Sequence, residues 1–403
     1  MPELVGLERL KKKLKSKQPR VETRYRYYDM KATLSYRSPE IPAQLACMAS
    51  VLGWCGTAVD SLADRLVFRE FKNDAFDLTG IYQMNNMDII FDSAILAALI
   101  GACSFIYIVP DDNTPRMRVL DAYNATGTID PVTHMLMEGY AVLERDVSGS
   151  PTIEAYFLPE STTYYPKGGK AYAISHRTPY CLLVPVIYRP DATRAFGHSR
   201  IKRSCIGLTQ MAMRAVFRSD IASEFYSYPQ RYVLGMDPEA EKLDKWRAIM
   251  TSMLRIDKDE EGQTPSIGQF PQQSMAPYAD LIRMIAGLFA GETGLTLDDL
   301  GLASQSPASP DAIRSAHEQL RLTARKAQRT FGTCFLNAGY LAACVRDDYP
   351  YLRQQLYMTQ AVWEPLFEPD ASQLSGIGDA VNKIQQSFPD YFDEDKLREM
   401  TGI

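Results

Sequence analysis

Two pairs of adjacent aspartates, Asp298-Asp299 and Asp347-Asp348, are the side chains of this sequence best suited to binding a divalent cation. Carboxylate oxygens are the ligands that Mg²⁺ and Ca²⁺ prefer, and a bound metal ion can activate water against a phosphodiester. Neither pair has an evident third oxygen ligand, so the sequence predicts no metal site. A metal-dependent nuclease or phosphodiesterase that uses Asp298 and Asp299 stays open as an alternative hypothesis.

Two other short motifs resemble known chemistry but lack an essential residue. Gly168-Gly169-Lys170 resembles a phosphate-binding loop, yet Tyr164 stands where the first glycine is required and Ala171 replaces the metal-binding hydroxyl. We therefore expect a turn there. His317-Glu318 begins like a zinc-protease motif, but Arg321 occupies the position of the second histidine.

The thiols and the remaining motifs add no catalytic candidate. The seven cysteines are scattered, odd in number and without a CxxC pair, which is typical of reduced thiols rather than a disulfide framework or a zinc site. No GxSxG motif is present. The sequence accordingly predicts no catalytic residue, no metal and no cofactor, and it favours a binding or structural protein over an enzyme.

Composition is that of a globular chain with an uneven charge distribution. The 403 residues are 46% hydrophobic and carry a net charge of -5, and this length allows two or three substructures. The first 27 residues nevertheless hold nine Lys or Arg against three Glu, which indicates a local basic arm on an acidic body. The uncharged run over residues 93–109 predicts a buried helix and then a strand, separated at Gly101, rather than a membrane span.

Periodicity divides the chain into zones. Apolar residues at helical spacing predict a packing helix over residues 40–66, and short β-rich runs separated by turn signals predict an antiparallel region over residues 103–188. A helix is expected from Ser199, as N-cap, to residue 228, before Pro229. A second helix, capped by Ser274, is expected to end near residue 290.

A loop without Lys or Arg, residues 291–308, precedes the strongest helix start of the sequence. Ser309 suits the N-cap, Pro310 the first helical position and Asp311 the first turn, where a carboxylate complements the helix dipole. Beside an apolar seam, this long helix carries a polar stripe of Arg314, Glu318, Arg321, Arg325 and Arg329. Two interpretations stay open: a solvated face with an Arg314–Glu318 pair, or a face that contacts a polyanion or a protein partner.

Six passages, in this order along the chain, carry a resemblance to a known family: RYRYYDMKATL, LGWCGTAVDSLADRLVFREF, SAILAALIGACSFIYIV, RVLDAYNATGTIDPVTHMLMEGYAVLERD, VPVIYRPDATRAFGHSRI and WEPLFEPDASQLSGIGDAVNKIQQSFPDYFDEDKLREMTGI. The series resembles the portal (head-to-tail connector) proteins of tailed bacteriophages, in the branch typical of long non-contractile tails. His198 stands where a basic residue is common in that family.

The resemblance implies an α+β portal fold that assembles as a ring, usually of twelve subunits. Residues 1–198 would be the amino-terminal part of the wing and residues 309–403 the long helix and carboxy-terminal wing. Residues 199–228 and 274–290 would be the two stem helices, residues 229–273 a small α/β clip, and residues 291–308 a tunnel loop.

The resemblance also assigns candidate sites and partners. The tunnel loop would contact DNA in the channel, without sequence specificity, through Leu295, Thr296, Leu297, Asp298, Asp299, Leu300, Ser304, Gln305 and Ser306. Stem candidates for the channel are Arg203, Arg214 and Arg218, and clip candidates for docking a partner are Asp257, Lys258, Asp259, Glu260 and Glu261. The implied partners are the terminase large subunit, a head-completion adaptor, and the major capsid and scaffolding proteins, with no membrane contact.

The implied location is the portal vertex of the virion, with assembly in the host cytoplasm. The implied function is a channel for DNA packaging and ejection. Besides the nuclease or phosphodiesterase of a phage, the remaining alternative is a minor head structural protein without a channel.

Overall fold

The computed structural model describes residues 4–35, 50–109, 114–227, 231–234, 266–269, 274–302, 310–366, 371–388, 391–393 and 397. One hydrophobic core joins amino-terminal helices, antiparallel strands and a long helix from the last third of the chain. The protein is therefore an α+β protein, as predicted. In the part of the chain that the structure describes, no helix is long and apolar enough to cross a membrane.

The first hundred residues supply four helices and one strand. These are α1 (Leu7–Tyr28), α2 (Trp54–Ala63), β1 (Phe68–Lys72), α3 (Leu78–Gln83) and α4 (Met87–Gly101). The helix predicted over residues 40–66 is shorter than expected: residues 50–53 are not helical, and residues 40–49 lie outside the described part. Gly53 directly precedes α2, and glycine disfavours continuing a helix.

Helix α4 leads directly into β2 (Cys103–Val109), which confirms the predicted division of the apolar run at Gly101. Between them Ala102 has a φ of 88°, so the chain turns within a single residue. The hydroxyl of Ser104, in β2, donates to the carbonyl oxygen of Ala94 at 2.6 Å and fixes the strand against the helix that precedes it.

Two antiparallel sheets follow, and they confirm the predicted β region. Their further strands are β3 (Arg116–Asp121), β4 (Ala125–Ile129), β5 (Leu136–Arg145), β6 (Pro151–Leu158), β7 (Ser161–Pro166), β8 (Tyr172–Ser175) and β9 (Leu183–Ile187). The orders are β3-β2-β9 and β4-β5-β6-β7-β8. The sequence analysis missed β4 and β8, because the first is rich in small residues and the second directly follows a glycine turn.

Two long helices enclose the predicted clip: α5 (Arg203–Ser227) and α6 (Ala276–Thr293). Between them, β10 (Arg231–Leu234) and β11 (Ser266–Gln269) pair in antiparallel fashion. The first of these helices begins four residues later than predicted, so Ser199 is not its N-cap. The Ser199 hydroxyl instead donates to the carbonyl oxygen of Ile100 at 2.6 Å, at the end of α4.

The last part of the chain contains α7 (Pro310–Ala316), α8 (Glu318–Arg346), β12 (Gln360–Trp363) and α9 (Ala371–Ser387). The predicted helix start at Pro310 is confirmed. The helix is not continuous, however, because the chain leaves helical geometry at His317, and the physical cause lies in the loop before it, described below.

Strand β12 pairs with β1, with Phe68 opposite Trp363. This pairing completes an aromatic cluster in which the ring centroid of Phe91 lies 4.3 Å from those of both Phe68 and Phe335. Gly332 of α8 lets the helix approach the sheet closely, since a Cβ there would lie 2.9 Å from that of Ala361.

Candidate functional site

Helices α5 and α6, the predicted stem helices, pack against each other, and the first turn of α5 lies beside the last turn of α6. The Ser204 hydroxyl donates to Glu292 Oε2 at 3.0 Å, and Lys202 Nζ lies 3.6 Å from the same oxygen. The two helices are therefore antiparallel, and the loop after α6 begins next to the start of α5.

Arg200 joins this end of the helix pair to the body of the protein. Its side chain is only 6% exposed. Nε donates to the carbonyl oxygen of Ala58 in α2 at 3.0 Å, and Nη2 donates to that of Thr293, the last residue of α6, at 2.6 Å. The final carbonyl groups of a helix lack partners within the helix, so the guanidinium satisfies a group that the fold would otherwise bury unpaired.

The predicted stem arginines lie on one side of α5. Arg203 and Arg218 are exposed, and Arg214 is half-buried. At about 100° per residue, the three positions fall within about 60° around the helix axis. The structure thus places Arg203, Arg214 and Arg218 on a common face, which is the arrangement that a shared role in a channel wall or a subunit contact requires.

The predicted loop over residues 291–308 is shorter than the sequence suggests. Helix α6 continues through Thr293 and ends at Gly294, whose φ of 71° gives a left-handed C-cap. Leu295 is 7% exposed and belongs to the hydrophobic core. Its inclusion among the DNA-contacting residues is therefore wrong, because an apolar side chain this close to the helix end is covered by the core.

The next residues form a compact turn closed by Asp299. Its Oδ2 accepts from the backbone amide of Thr296 at 2.8 Å and from the Thr296 hydroxyl at 3.0 Å, and that hydroxyl accepts from the amide of Asp299 at 3.2 Å. A 3₁₀ turn, Asp298–Leu300, follows, and Leu300 packs on the core. Leu297 and Asp298 are the exposed residues of this turn.

The same turn touches the break between α7 and α8. Nδ1 of His317 lies 3.6 Å from Asp299 Oδ2, and among the described residues it has no hydrogen-bond partner. The loop after α6 therefore packs against the point where the predicted long helix is interrupted. A sequence pattern could not show this break, because the apolar seam of the helix continues through it.

Replacing Asp299 with alanine is expected to loosen this turn and to lower the free energy of unfolding by about 1–2 kcal/mol, since two donors on Thr296 lose their acceptor. Asp280→Ala, at an exposed position in α6, is the matched control and is expected to cost less than about 0.5 kcal/mol. Urea denaturation at one protein concentration measures both. Equal losses for the two variants would contradict the capping role.

The second aspartate pair is engaged by arginines. The guanidinium of Arg346 donates to both oxygens of Asp347, at 2.8 and 2.9 Å, and holds the pKa of that carboxyl below its usual range. Asp348 Oδ2 lies 3.4 Å from Arg177. Within the described ranges, no group of three His, Cys, Asp or Glu side chains is arranged to hold a metal ion.

Other predicted site residues lie outside the described part of the chain. These are Ser304, Gln305 and Ser306 of the tunnel loop, and Asp257, Lys258, Asp259, Glu260 and Glu261 of the clip. On the polar stripe of α8, Glu318 accepts two hydrogen bonds from Arg321, each 2.7 Å long. This pairing within one helix turn supports a solvated face at that end of the stripe.

The sequence analysis did not foresee a strongly basic pocket between α1 and residues 193–203. The only sequence signal for it was the recurrence of basic residues in α1 at intervals of three and four. That pattern identifies one helix face, but it does not tell what lies opposite.

Comparison with known proteins supplies relatives for the whole chain. No family model matches. The portal protein of Mycobacterium phage L5 is 25% identical over 382 residues, which cover 89% of this chain and 77% of that protein. The portal protein of Mycobacterium phage D29 is 24% identical over 400 residues, covering 93% of this chain and 81% of that one.

Solved structures with a similar chain trace come from gene transfer agent (GTA) particles. A chain of the virion of the native particle aligns with a TM-score of 0.45 at 12% identity, covering 87% of this chain and 89% of that one. A chain from the neck of the native particle, computed with C12 symmetry, aligns with a TM-score of 0.43 at 15% identity, covering 95% and 99%.

The α+β chain described above is a structural component of a phage particle rather than a nuclease. It belongs to the portal proteins of tailed bacteriophages, in the siphophage branch, and the relatives in phages L5 and D29 confirm the resemblance seen in its sequence motifs.

Proposed function

We propose that this portal protein assembles as a ring of twelve subunits around a central channel at one vertex of the capsid. Double-stranded DNA would enter during packaging and leave during ejection through that channel. Residues 1–198 and 309–403 form the wing in this proposal. Residues 199–228 and 274–290 form the stem, residues 229–273 the clip, and residues 291–308 the tunnel loop.

The observation that carries the channel assignment is the antiparallel pair of α5 and α6, anchored to the body through Arg200. A loop without Lys or Arg leaves this anchored end, and the turn that begins it is held by Asp299 and covered by Leu295 and Leu300. The exposed residues Leu297 and Asp298, and the following Ser304 to Ser306, are then the part of the loop proposed to face DNA.

A channel lip of this composition suits a duplex that must slide. Each phosphate neutralised by Lys or Arg adds affinity through counterion release, so strong cationic contacts would slow every step. A ring also multiplies weak contacts, because each subunit presents the same groups at the same height. Polar and acidic residues at the lip guide DNA without holding it.

The proposed partners follow from this arrangement. The clip would dock the terminase large subunit during packaging, with residues 257–261 as candidate contacts, and a head-completion adaptor afterwards. The wing would contact the major capsid and scaffolding proteins during assembly in the host cytoplasm. The portal itself would act as a conduit, and the ATP-driven motor would be the terminase.

One experiment on an infectious phage tests both the ring and the loop. Purified protein examined by negative-stain electron microscopy is expected to show rings of twelve subunits with a central hole. Deletion of Ser304, Gln305 and Ser306 is expected to leave these rings intact and to reduce the yield of DNA-filled heads. The deletion spares Leu295 and Asp299, which the fold needs.

Other outcomes identify the alternatives. A stable monomer over a range of salt concentrations argues against the ring, and an oligomer without a hole favours a minor head protein. Full packaging by the deletion variant contradicts the tunnel-loop assignment. Magnesium-dependent cleavage of DNA that disappears in Asp298→Ala would instead support the nuclease alternative.

A further inference from the structure

Helix α1 presents a row of positive charges along one face. Its basic residues Lys13, Lys17, Arg20 and Arg24 recur at intervals of four, three and four, so they lie within about 60° around the helix axis. The neighbouring face carries Leu10, Leu14 and Val21, which are buried. The apolar face anchors the helix to the body, and this fixes the direction in which the basic face points.

Polar contacts hold α1 in this orientation. The carboxylate of Glu138, on β5, accepts from the backbone amides of Val5 and Gly6 at 2.7 and 3.0 Å, just before the helix begins. Lys11 Nζ lies 2.7 Å from Glu154 on β6. At the other end, Arg24 Nη1 donates to the carbonyl oxygen of Gly101 at 2.9 Å. The helix is therefore attached at both ends, and its basic face is preorganised.

The basic face of α1 covers a cavity of about 580 Å³. The floor consists of small residues from Gly101 to Cys103, together with Ala122 and Ala125, and the opposite wall is formed by residues 193–203. Seven Lys or Arg side chains line the cavity, and none of its described lining residues is Asp or Glu. This cavity is named the basic pocket.

Carboxylates compensate little of this charge. Among the described residues, Lys202 is the only one of the seven cations within 4 Å of a carboxylate, that of Glu292 at 3.6 Å. Lys13 Nζ donates to the carbonyl oxygen of Gly127 at 2.6 Å, which satisfies a hydrogen bond but does not neutralise the charge.

Burial and mutual repulsion act on the same groups. Burial, and then the positive charge of Lys17, lower the pKa of Lys13 to about 8. Burial also lowers the pKa of Lys17, and burial together with Arg20 lowers that of Arg24 to about 10. Cations held together in this way favour an anion that can lie between them.

The only aromatic ring in the pocket is covered by two of the cations. Lys13 Nζ lies 4.9 Å and Lys17 Nζ 4.3 Å from the ring centroid of Phe196. The ring stabilises the ammonium groups by cation-π attraction and is not free to stack on a nucleobase. Recognition in this pocket therefore depends on the anionic part of a ligand.

We propose that the basic pocket binds a compact oligophosphate, a diphosphate or triphosphate group that is either inorganic or carried by a nucleotide. Several adjacent negative charges match several fixed cations, and guanidinium groups donate to phosphate in a forked geometry. The volume lies in the range of small-ligand sites. A DNA duplex is too wide to enter a cavity of this size, so the ligand is a small molecule. This inference does not depend on the proposed channel.

Isothermal titration calorimetry of the full-length protein with inorganic triphosphate tests the proposal. The double variant Lys17→Gln/Arg20→Gln removes two of the pocket cations and is expected to weaken binding about a hundredfold, since each charge-assisted contact is worth about 1.5–3 kcal/mol. The matched control, Lys12→Gln/Lys15→Gln, removes two exposed charges from another side of the same helix. We expect the control to weaken binding less than about threefold.

Further arms distinguish the sources of the anion. Equal affinity for ATP and triphosphate would assign recognition to the phosphates alone, and tighter binding of ATP would assign the nucleotide; both support the proposal. Sulfate, with a single doubly charged group, is expected to bind at least about tenfold more weakly.

The contrary outcomes are equally definite. The proposal is overturned if triphosphate releases no heat, if both double variants lose affinity equally, or if a short DNA duplex displaces triphosphate with higher affinity. Binding that vanishes in the assembled oligomer would show that the pocket is covered by a neighbouring subunit, and this also overturns it. Thermal melting checks that the pocket variant is folded, and triphosphate should raise the melting temperature of the wild type alone.

Discussion

Alanine at Gly197 is expected to lower the free energy of unfolding by about 3 kcal/mol or more. Gly197 has a φ of 68°, a conformation that costs a residue with a Cβ about 1–2 kcal/mol. In addition, the new Cβ would lie 2.1 Å from the carbonyl oxygen of Tyr188 and 2.8 Å from a methyl carbon of Ile187. Overpacking of this kind costs a further 1–3 kcal/mol or so.

The carbonyl group of Tyr188 cannot easily move away from this clash. Its oxygen accepts from the amide of His198 at 2.9 Å, and the amide of Tyr188 donates to the carbonyl oxygen of Ala102 at 3.0 Å. The substitution would therefore strain the end of β9 and the segment that leads into α5. That segment also forms one wall of the basic pocket.

Gly149→Ala separates the two contributions. Gly149 also has a positive φ, of 80°, but no heavy atom lies within 4 Å of a Cβ built there. This variant should show only the conformational cost of about 1–2 kcal/mol. Urea denaturation of both variants and the wild type, at one protein concentration, provides the comparison. Equal destabilisation would show that the contact with Tyr188 does not matter.

The second large effect is expected for Arg200→Met, which removes the guanidinium but keeps a long apolar side chain. Two carbonyl oxygens, of Ala58 and Thr293, lose a buried donor, and each such loss costs about 1–3 kcal/mol. We expect a total loss of about 2–5 kcal/mol in the free energy of unfolding. Hydrogen exchange should also accelerate in the last turn of α6, because this turn loses its attachment to the body.

Arg177→Met is the matched control for this substitution. Arg177 is exposed, and its ion pair with Asp348 spans 3.4 Å at the surface, where such pairs contribute about 1 kcal/mol or less. A similar loss for both variants, or unchanged exchange in α6, would refute the anchoring role of Arg200. Arg200→Lys is expected to fall between the two, since an ammonium group reaches only one of the acceptors.

Local signals in the sequence predicted the elements well where one residue type decides the geometry. Gly101 marks the end of α4, and Pro310 marks the start of α7. Alternation and turn residues placed the antiparallel region correctly. The portal family was recognised because several weak motifs occur in a fixed order, and the relatives bear this out.

The predictions failed where a distant contact outweighs a local preference. Ser199 suits an N-cap, but its hydroxyl bonds to the end of α4, which is about a hundred residues earlier in the chain. Leu295 appears in a polar loop, yet the core covers it. The basic pocket depends on the surface that α1 faces, and the spacing of charges within α1 carries no information about that surface.

The pairing of β1 with β12 has a consequence for how the protein folds during its synthesis. Phe68 and Trp363 are roughly 300 residues apart in the sequence, so their contact raises the contact order of the domain. A nascent chain still attached to the ribosome must keep Phe68 and its strand edge waiting until nearly the whole protein has emerged. Such an unpaired edge promotes aggregation. We therefore expect the yield of folded subunits to depend on protection of the nascent chain by chaperones.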